Sequence, residues 1–145
     1  MKTQNRSFVE AAVTKVVSTR REIQAAYLFG SMTKGRTRPG SDVDVAVLLS
    51  NRVRTSAIFQ YRLKLVADLG FELKRSDIDL VILNDASPLL AHRVLSKGRL
   101  IFEGSPSARI RFQVRTANLY ADLVPMFETQ IRYLKKSVRE GRIIG

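Results

Sequence analysis

Cysteine is absent from the 145 residues, and histidine occurs once, at His92. Disulfides, thiolate metal sites and cysteine nucleophiles are thereby excluded. Long apolar runs are missing too: no stretch approaches the roughly 20 residues of a membrane span, and the start, "MKTQNRSFVEAAVTKVV", lacks the apolar core of a signal peptide. The expectation is a soluble, cytoplasmic chain that makes no use of a membrane. Internal repeats, low-complexity tracts and Ser/Gly linkers are also lacking, so residues 1–145 read as one domain with little room for a separate substrate domain. Negative charge is scarce, with 13 acidic residues against 25 Lys and Arg and a net charge of +12. The surplus sits at the two ends: residues 1–41 carry eight basic and two acidic side chains, residues 42–104 nine and eight, and residues 105–145 eight and three. Such a field favours an anionic nucleotide, a nucleic acid or an acidic protein without choosing among them. Because zinc-finger spacing and an aromatic-rich RNA-binding signature are missing, direct nucleic-acid binding is not the favoured reading.

What is present is a pattern of alternating elements. Residues 7–19 have Phe8, Ala11, Ala12, Val16 and Val17 near helical spacing, which predicts an amphipathic helix. "IQAAYLF" (23–29) reads as a buried strand stopped by Gly30, and "SDVDVAVLL" (41–49) as a second, β-branched strand. Residues 54–70 read as a helix on Ile58, Leu63, Val66 and Leu69, with Gly70 as its stop; "SDIDLVIL" (76–83) is a third strand. In 87–98, Ser87 at the N-cap, Pro88 at the first helical position and Gly98 past the end mark another helix, and "RLIFEG" (99–104) follows as a fourth strand. From 107 to 139 the spacing is helical, and the stripe Ala117, Tyr120, Val124, Phe127, Ile131, Leu134 and Val138 is expected to be core. Pro125 in its middle predicts a kink or a division into two helices. The first two strands are joined by too short a loop for a helical crossover, so the fold class is α/β (α+β), a mixed four-stranded sheet flanked by helices.

The chemistry concentrates in "LFGSMTKGRTRPGSDVDVAVLL" (28–49). On a strand, residues two apart share a face, so Asp42 and Asp44 point one way and Val43, Val45 and Val47 the other. Two like charges so placed repel unless a cation lies between them, and Mg²⁺ suits such a site because it takes one or two carboxylates and completes its shell with phosphate oxygens and water. Asp77 and Asp79 obey the same alternation on the next strand, so one of them can join. Gly30-Ser31 after a strand lets a phosphate approach the backbone, and Lys34, Arg36 and Arg38 lie in the same loop with Ser41 at its end. "GSMTKGRT" matches the P-loop pattern at all but its lysine, where Arg36 stands. That pattern needs a helix directly after it, and Pro39, Gly40 and the strand leave no room for one.

Gly30-Ser31, ten intervening residues, Asp42-Val43-Asp44, and "DIDLVIL" some thirty-five residues later resemble the DNA polymerase beta superfamily of nucleotidyltransferases. Within it the chain is most similar to the minimal nucleotidyltransferases that form the antitoxin half of toxin pairs whose toxin is a HEPN-domain ribonuclease. The resemblance covers residues 23–104 as the catalytic core, with about 107–140 as a helical tail. It implies that Asp42 and Asp44 bind two Mg²⁺ ions and that Asp79 is the third carboxylate, with Asp77 the alternative. It implies ATP as substrate, held by Gly30, Ser31, Lys34, Arg36 and Ser41. The implied reaction moves AMP to a hydroxyl, a tyrosine of the HEPN partner, and silences its ribonuclease. An acceptor that is a small molecule or an RNA end, or neutralisation by contact without chemistry, stays open, as does assembly into homo- or hetero-oligomers.

Other features read more plainly. His92 is expected to pack or lie at the surface, and "RYLKKSVREGR" (132–142) to be a solvated basic end or a dock for an acidic partner. Leu119, Leu123 and Met126 lie off the apolar stripe, as a partner surface or the flank of a wide core face.

Overall fold

A computed structural model describes residues 5–30 and 42–141. The elements run in the order α1 (Arg6–Ser18), β1 (Ile23–Phe29), β2 (Val43–Leu49), α2 (Ile58–Leu73), β3 (Ile78–Ile82), α3 (Pro88–Lys97), β4 (Arg99–Glu103) and α4 (Pro106–Arg139). The strands form one sheet in the order β3-β2-β1-β4. β1 is antiparallel to both its neighbours, whereas β2 and β3, joined through α2, are parallel. The expected mixed four-stranded sheet is what forms.

Alternation along the strands builds a core on each face. Ile23, Leu28, Val43, Val45, Val47, Leu49, Leu80 and Ile82 pack against Val9, Val13 and Val17 of α1 and Leu65, Leu69 and Leu73 of α2. Each fully buried side chain of this size contributes about 1.5–3 kcal/mol by its removal from water. On the opposite face Ala25, Tyr27, Ala46 and Leu48 meet Ala91 and Val94 of α3 and Phe112 of α4. At the end of β2 the Asn84 side chain substitutes for a strand, accepting from the Leu49 N–H at 2.8 Å and donating to the Leu49 carbonyl at 2.7 Å.

Local signals explain most element ends. Asn5 caps α1 by accepting from the Phe8 N–H at 2.8 Å, and Ser87 caps α3 by accepting from the Leu90 N–H, with Pro88 at the first turn. Three expectations are corrected. In α1 the buried face is Val9, Ala12, Val13, Val16 and Val17, while Phe8 and Ala11 turn outward. α2 begins at Ile58, after a short 3₁₀ turn over Thr55–Ala57, and runs through Gly70 to Leu73; Leu63 is exposed. The helix stops instead at Lys74, whose φ of 56° is left-handed, and the Gly70 carbonyl accepts from both the Lys74 and Arg75 N–H groups.

The third correction concerns α4. It is one continuous helix through Pro125 and not two. Proline removes the N–H that would reach the Ala121 carbonyl, and the turn is supported from the other side by Thr129, whose hydroxyl donates to the Pro125 carbonyl at 3.0 Å. At 1.5 Å per residue this helix is about 51 Å long, more than twice the span of a seven-residue strand. Only Ala108, Phe112, Thr116 and Ser137 of it are buried, so the stripe from Ala117 to Val138 is not core. Tyr120, Val124 and Phe127 are half-buried, and Ala117, Ile131, Leu134 and Val138 are exposed. Off the stripe, Leu123 is half-buried and Leu119 and Met126 are exposed.

Candidate active site

Three neighbouring strands bring the site together. Phe29, the last residue of β1, lies opposite Asp44 in β2, and Asp44 lies opposite Asp79 in β3. Val43, Val45 and Leu80 point into the core under α1 and α2, so Asp44 and Asp79 share the other face, side by side on adjacent strands. Gly30 follows Phe29 with φ +75°, a left-handed turn that carries the chain off the sheet. A Cβ at this position would overlap the Asp44 carboxylate itself. Glycine is thus required twice, for its dihedral and for the space the carboxylate fills.

The electrostatics follow from that packing. Asp44 is half-buried, and burial first, then the charges of Asp79 and Asp42, push its pKa up to about 6. Asp79 is exposed. Asp42 is exposed as well and stands one residue ahead of β2, not within it. Asp77 belongs to a different arrangement. Its carboxylate is gripped by the Arg75 guanidinium through two hydrogen bonds, which hold its pKa below the usual range, while its carbonyl accepts from the Val43 N–H at 2.9 Å. Arg75 also feels the charge of Asp42. Its part was not anticipated, and the Arg-x-Asp spacing of a short ion pair was the available signal. Ser31, Lys34, Arg36, Arg38 and Ser41 lie outside the described residues. His92 is stacked face to face on Tyr120, ring centroids 3.6 Å apart, and so joins α3 to α4.

The donor set suits a hard divalent cation. Among the described residues no group of three or more acidic or imidazole side chains forms a cage for a metal ion. Mg²⁺ does not require one, because one or two carboxylates serve and substrate phosphates and water complete its octahedron. Burial first, then the neighbouring carboxylates, lift the Asp44 pKa, and such a cation would relieve the repulsive part.

The described residues thus present a glycine turn pressed on a carboxylate at the end of a mixed sheet, with a second carboxylate across the strand pair. The chain belongs to the polymerase beta nucleotidyltransferase family, whose model matches residues 12–107. Among curated proteins it is similar to the protein adenylyltransferase MntA of Shewanella oneidensis, 33% identical over 102 residues that span 70% of this chain and 69% of that one. Among solved structures it superposes on a chain of a toxin–antitoxin complex with AMP-PNP, with a TM-score of 0.72 and 28% identity over 87% of this chain and 98% of that one. It also matches a chain of the tri-AMPylated Shewanella oneidensis HEPN toxin in complex with its MNT antitoxin, with a TM-score of 0.67 and 26% identity over 90% and 98% of the two chains. Among the described residues no helix is long and apolar enough to cross a membrane.

Proposed function

We propose that this chain transfers AMP from ATP to a hydroxyl, foremost a tyrosine, of a HEPN-type ribonuclease and acts in the cytoplasm as that toxin's antitoxin, working as a single catalytic domain. The observation that carries the reading is the row Gly30, Asp44, Asp79 across β1, β2 and β3. The similarity to an adenylyltransferase and to complexes holding AMP-PNP or an AMPylated toxin supports the nucleotide and the acceptor.

In this reading the turn at Gly30, with Ser31, Lys34, Arg36 and Ser41, binds the triphosphate. Asp42 and Asp44, joined by Asp79, would hold Mg²⁺, which when bound lowers the charge on the reacting phosphate and on the departing oxygen. Asp79, exposed beside Asp44, orients the acceptor hydroxyl and takes its proton. The hydroxyl oxygen then forms a bond to the α-phosphorus as the bond from that phosphorus to the bridging oxygen breaks. Pyrophosphate carries away the electron pair. Asp77 is left out of the cluster because Arg75 already neutralises it.

Intact-mass measurement of the HEPN partner after incubation with this protein, ATP and Mg²⁺ tests the reading. The expected result is a gain of one or more adenylyl groups, absent with an Asp42→Asn, Asp44→Asn variant. Undiminished transfer by that variant would refute the site, and a stable complex without any mass gain would refute the chemistry.

A further inference from the structure

The stripe left bare on α4 has a stricter order than burial of a helix face requires. From Ala117 to Val138 its members step by three and four residues alternately, the spacing of a coiled-coil seam sustained over three heptads. The first part is used within the chain, where Tyr120 stacks on His92. α3 has only ten residues, about 15 Å of helix, and cannot follow α4 along its length. Beyond it Ile131, Leu134 and Val138 are 51%, 52% and 63% exposed, and Phe127 is half-buried.

We infer that this segment pairs with the same segment of a second copy, as an antiparallel two-helix seam about a two-fold axis between Ile131 and Leu134. In that alignment Phe127 of one copy meets Val138 of the other and Ile131 meets Leu134, each contact occurring twice, as a self-complementary interface demands. The flanking charges select the antiparallel sense. Glu128 and Lys135 both sit one position after an inner seam residue, and neither has an ion-pair partner among the described residues. Antiparallel pairing sets each Glu128 beside the other copy's Lys135, whereas parallel pairing sets them beside Leu123 and Gln130. The remaining basic residues, Arg132, Lys136 and Arg139, fall on the outward positions, and so does Pro125, so none of them enters the seam. The inference concerns only the helix surface and stands apart from the proposed AMP transfer.

Sedimentation of the full chain over a wide concentration range tests it. The expected result is a reversible dimer that Ile131→Glu with Leu134→Glu weakens on the order of a hundredfold, with circular dichroism confirming that the variant stays folded. Glu128→Lys alone weakens it roughly tenfold, and Glu128→Lys with Lys135→Glu restores it. Because the chain has no cysteine, Glu128→Cys with Lys135→Cys gives an independent readout: oxidation yields a covalent dimer in the antiparallel arrangement. A chain that is monomeric at every concentration overturns the inference, as does a dimer indifferent to the seam variants. Seam variants that abolish only the complex with the HEPN partner overturn it too, and assign the face to that protein.

Discussion

Replacing Gly30 with alanine separates the scaffold from the chemistry. The new Cβ meets two penalties, the left-handed dihedral of φ +75° and overlap with the Asp44 carboxylate. The first costs roughly 1–2 kcal/mol for a non-glycine residue, which in a chain of this size lowers Tm by roughly 2–8 °C. The second is relieved by displacing a carboxylate oxygen by about an ångström, and misplacement on that scale costs about 10²-fold in rate. Gly30→Ala is therefore expected to fold, to melt slightly lower, and to lose AMP transfer about a hundredfold. Gly30→Asn divides the two causes, because asparagine tolerates the left-handed region but still carries the Cβ. It should recover much of the Tm and none of the rate. Wild-type transfer by Gly30→Ala would refute the packing argument, and recovery of rate in Gly30→Asn would place the whole effect in the dihedral.

The raised pKa of Asp44, about 6, has two consequences of opposite sign. Protons compete with Mg²⁺ as pH falls through 6, so transfer should decline there and excess Mg²⁺ should restore it. In the metal-free protein the folded state holds this proton more tightly than the unfolded chain does. Its contribution to stability is therefore fully present below the ordinary value of 3.8 and is lost as pH rises through about 6, a trend in Tm that Asp44→Asn abolishes. Added Mg²⁺ should raise Tm at pH 7.5 in the wild type and not in Asp44→Asn, since a ligand of the folded state stabilises by mass action. Asp79→Asn should lower transfer roughly 10²–10⁴-fold, and Asp77→Asn far less; equal losses in a steady-state comparison would contradict the assignment of Asp77 to Arg75. His92→Ala, which removes the stack on Tyr120, is expected to cost about 1 kcal/mol in denaturant unfolding and to leave the transfer rate unchanged.

The sheet and the row of acids were legible because strand alternation carries its own geometry. Once Val43, Val45 and Val47 are assigned to the core, Asp44 must face away from it, and "DIDLVIL" repeats the constraint for Asp79. What alternation does not contain is register, so that Asp44 stands opposite Asp79 and not opposite Asp77 came only with the parallel pairing of β2 and β3. α2 runs past Gly70 because a glycine weakens a helix interior without forbidding it, and a left-handed lysine leaves no mark in composition. On α4 periodicity identified the residues that share a face. It could not say that, among the described residues, no other helix covers them.

The parallel pairing of β2 and β3 also sets when the site comes into being. Gly30 and Asp44 flank one connection between neighbouring antiparallel strands, so their half of the row needs only a local hairpin. Asp79 is thirty-five positions beyond Asp44 and arrives only after α2 has crossed over and β3 has docked on the sheet's edge. Pairings of such sequence separation form late, because the closure of the long loop precedes any reward from the contact. A chain still being synthesised can therefore hold the glycine turn and Asp44 while lacking Asp79, the residue proposed to receive the proton. On the proposed reading, competence to modify a partner therefore waits on completion of the β2–β3 pairing.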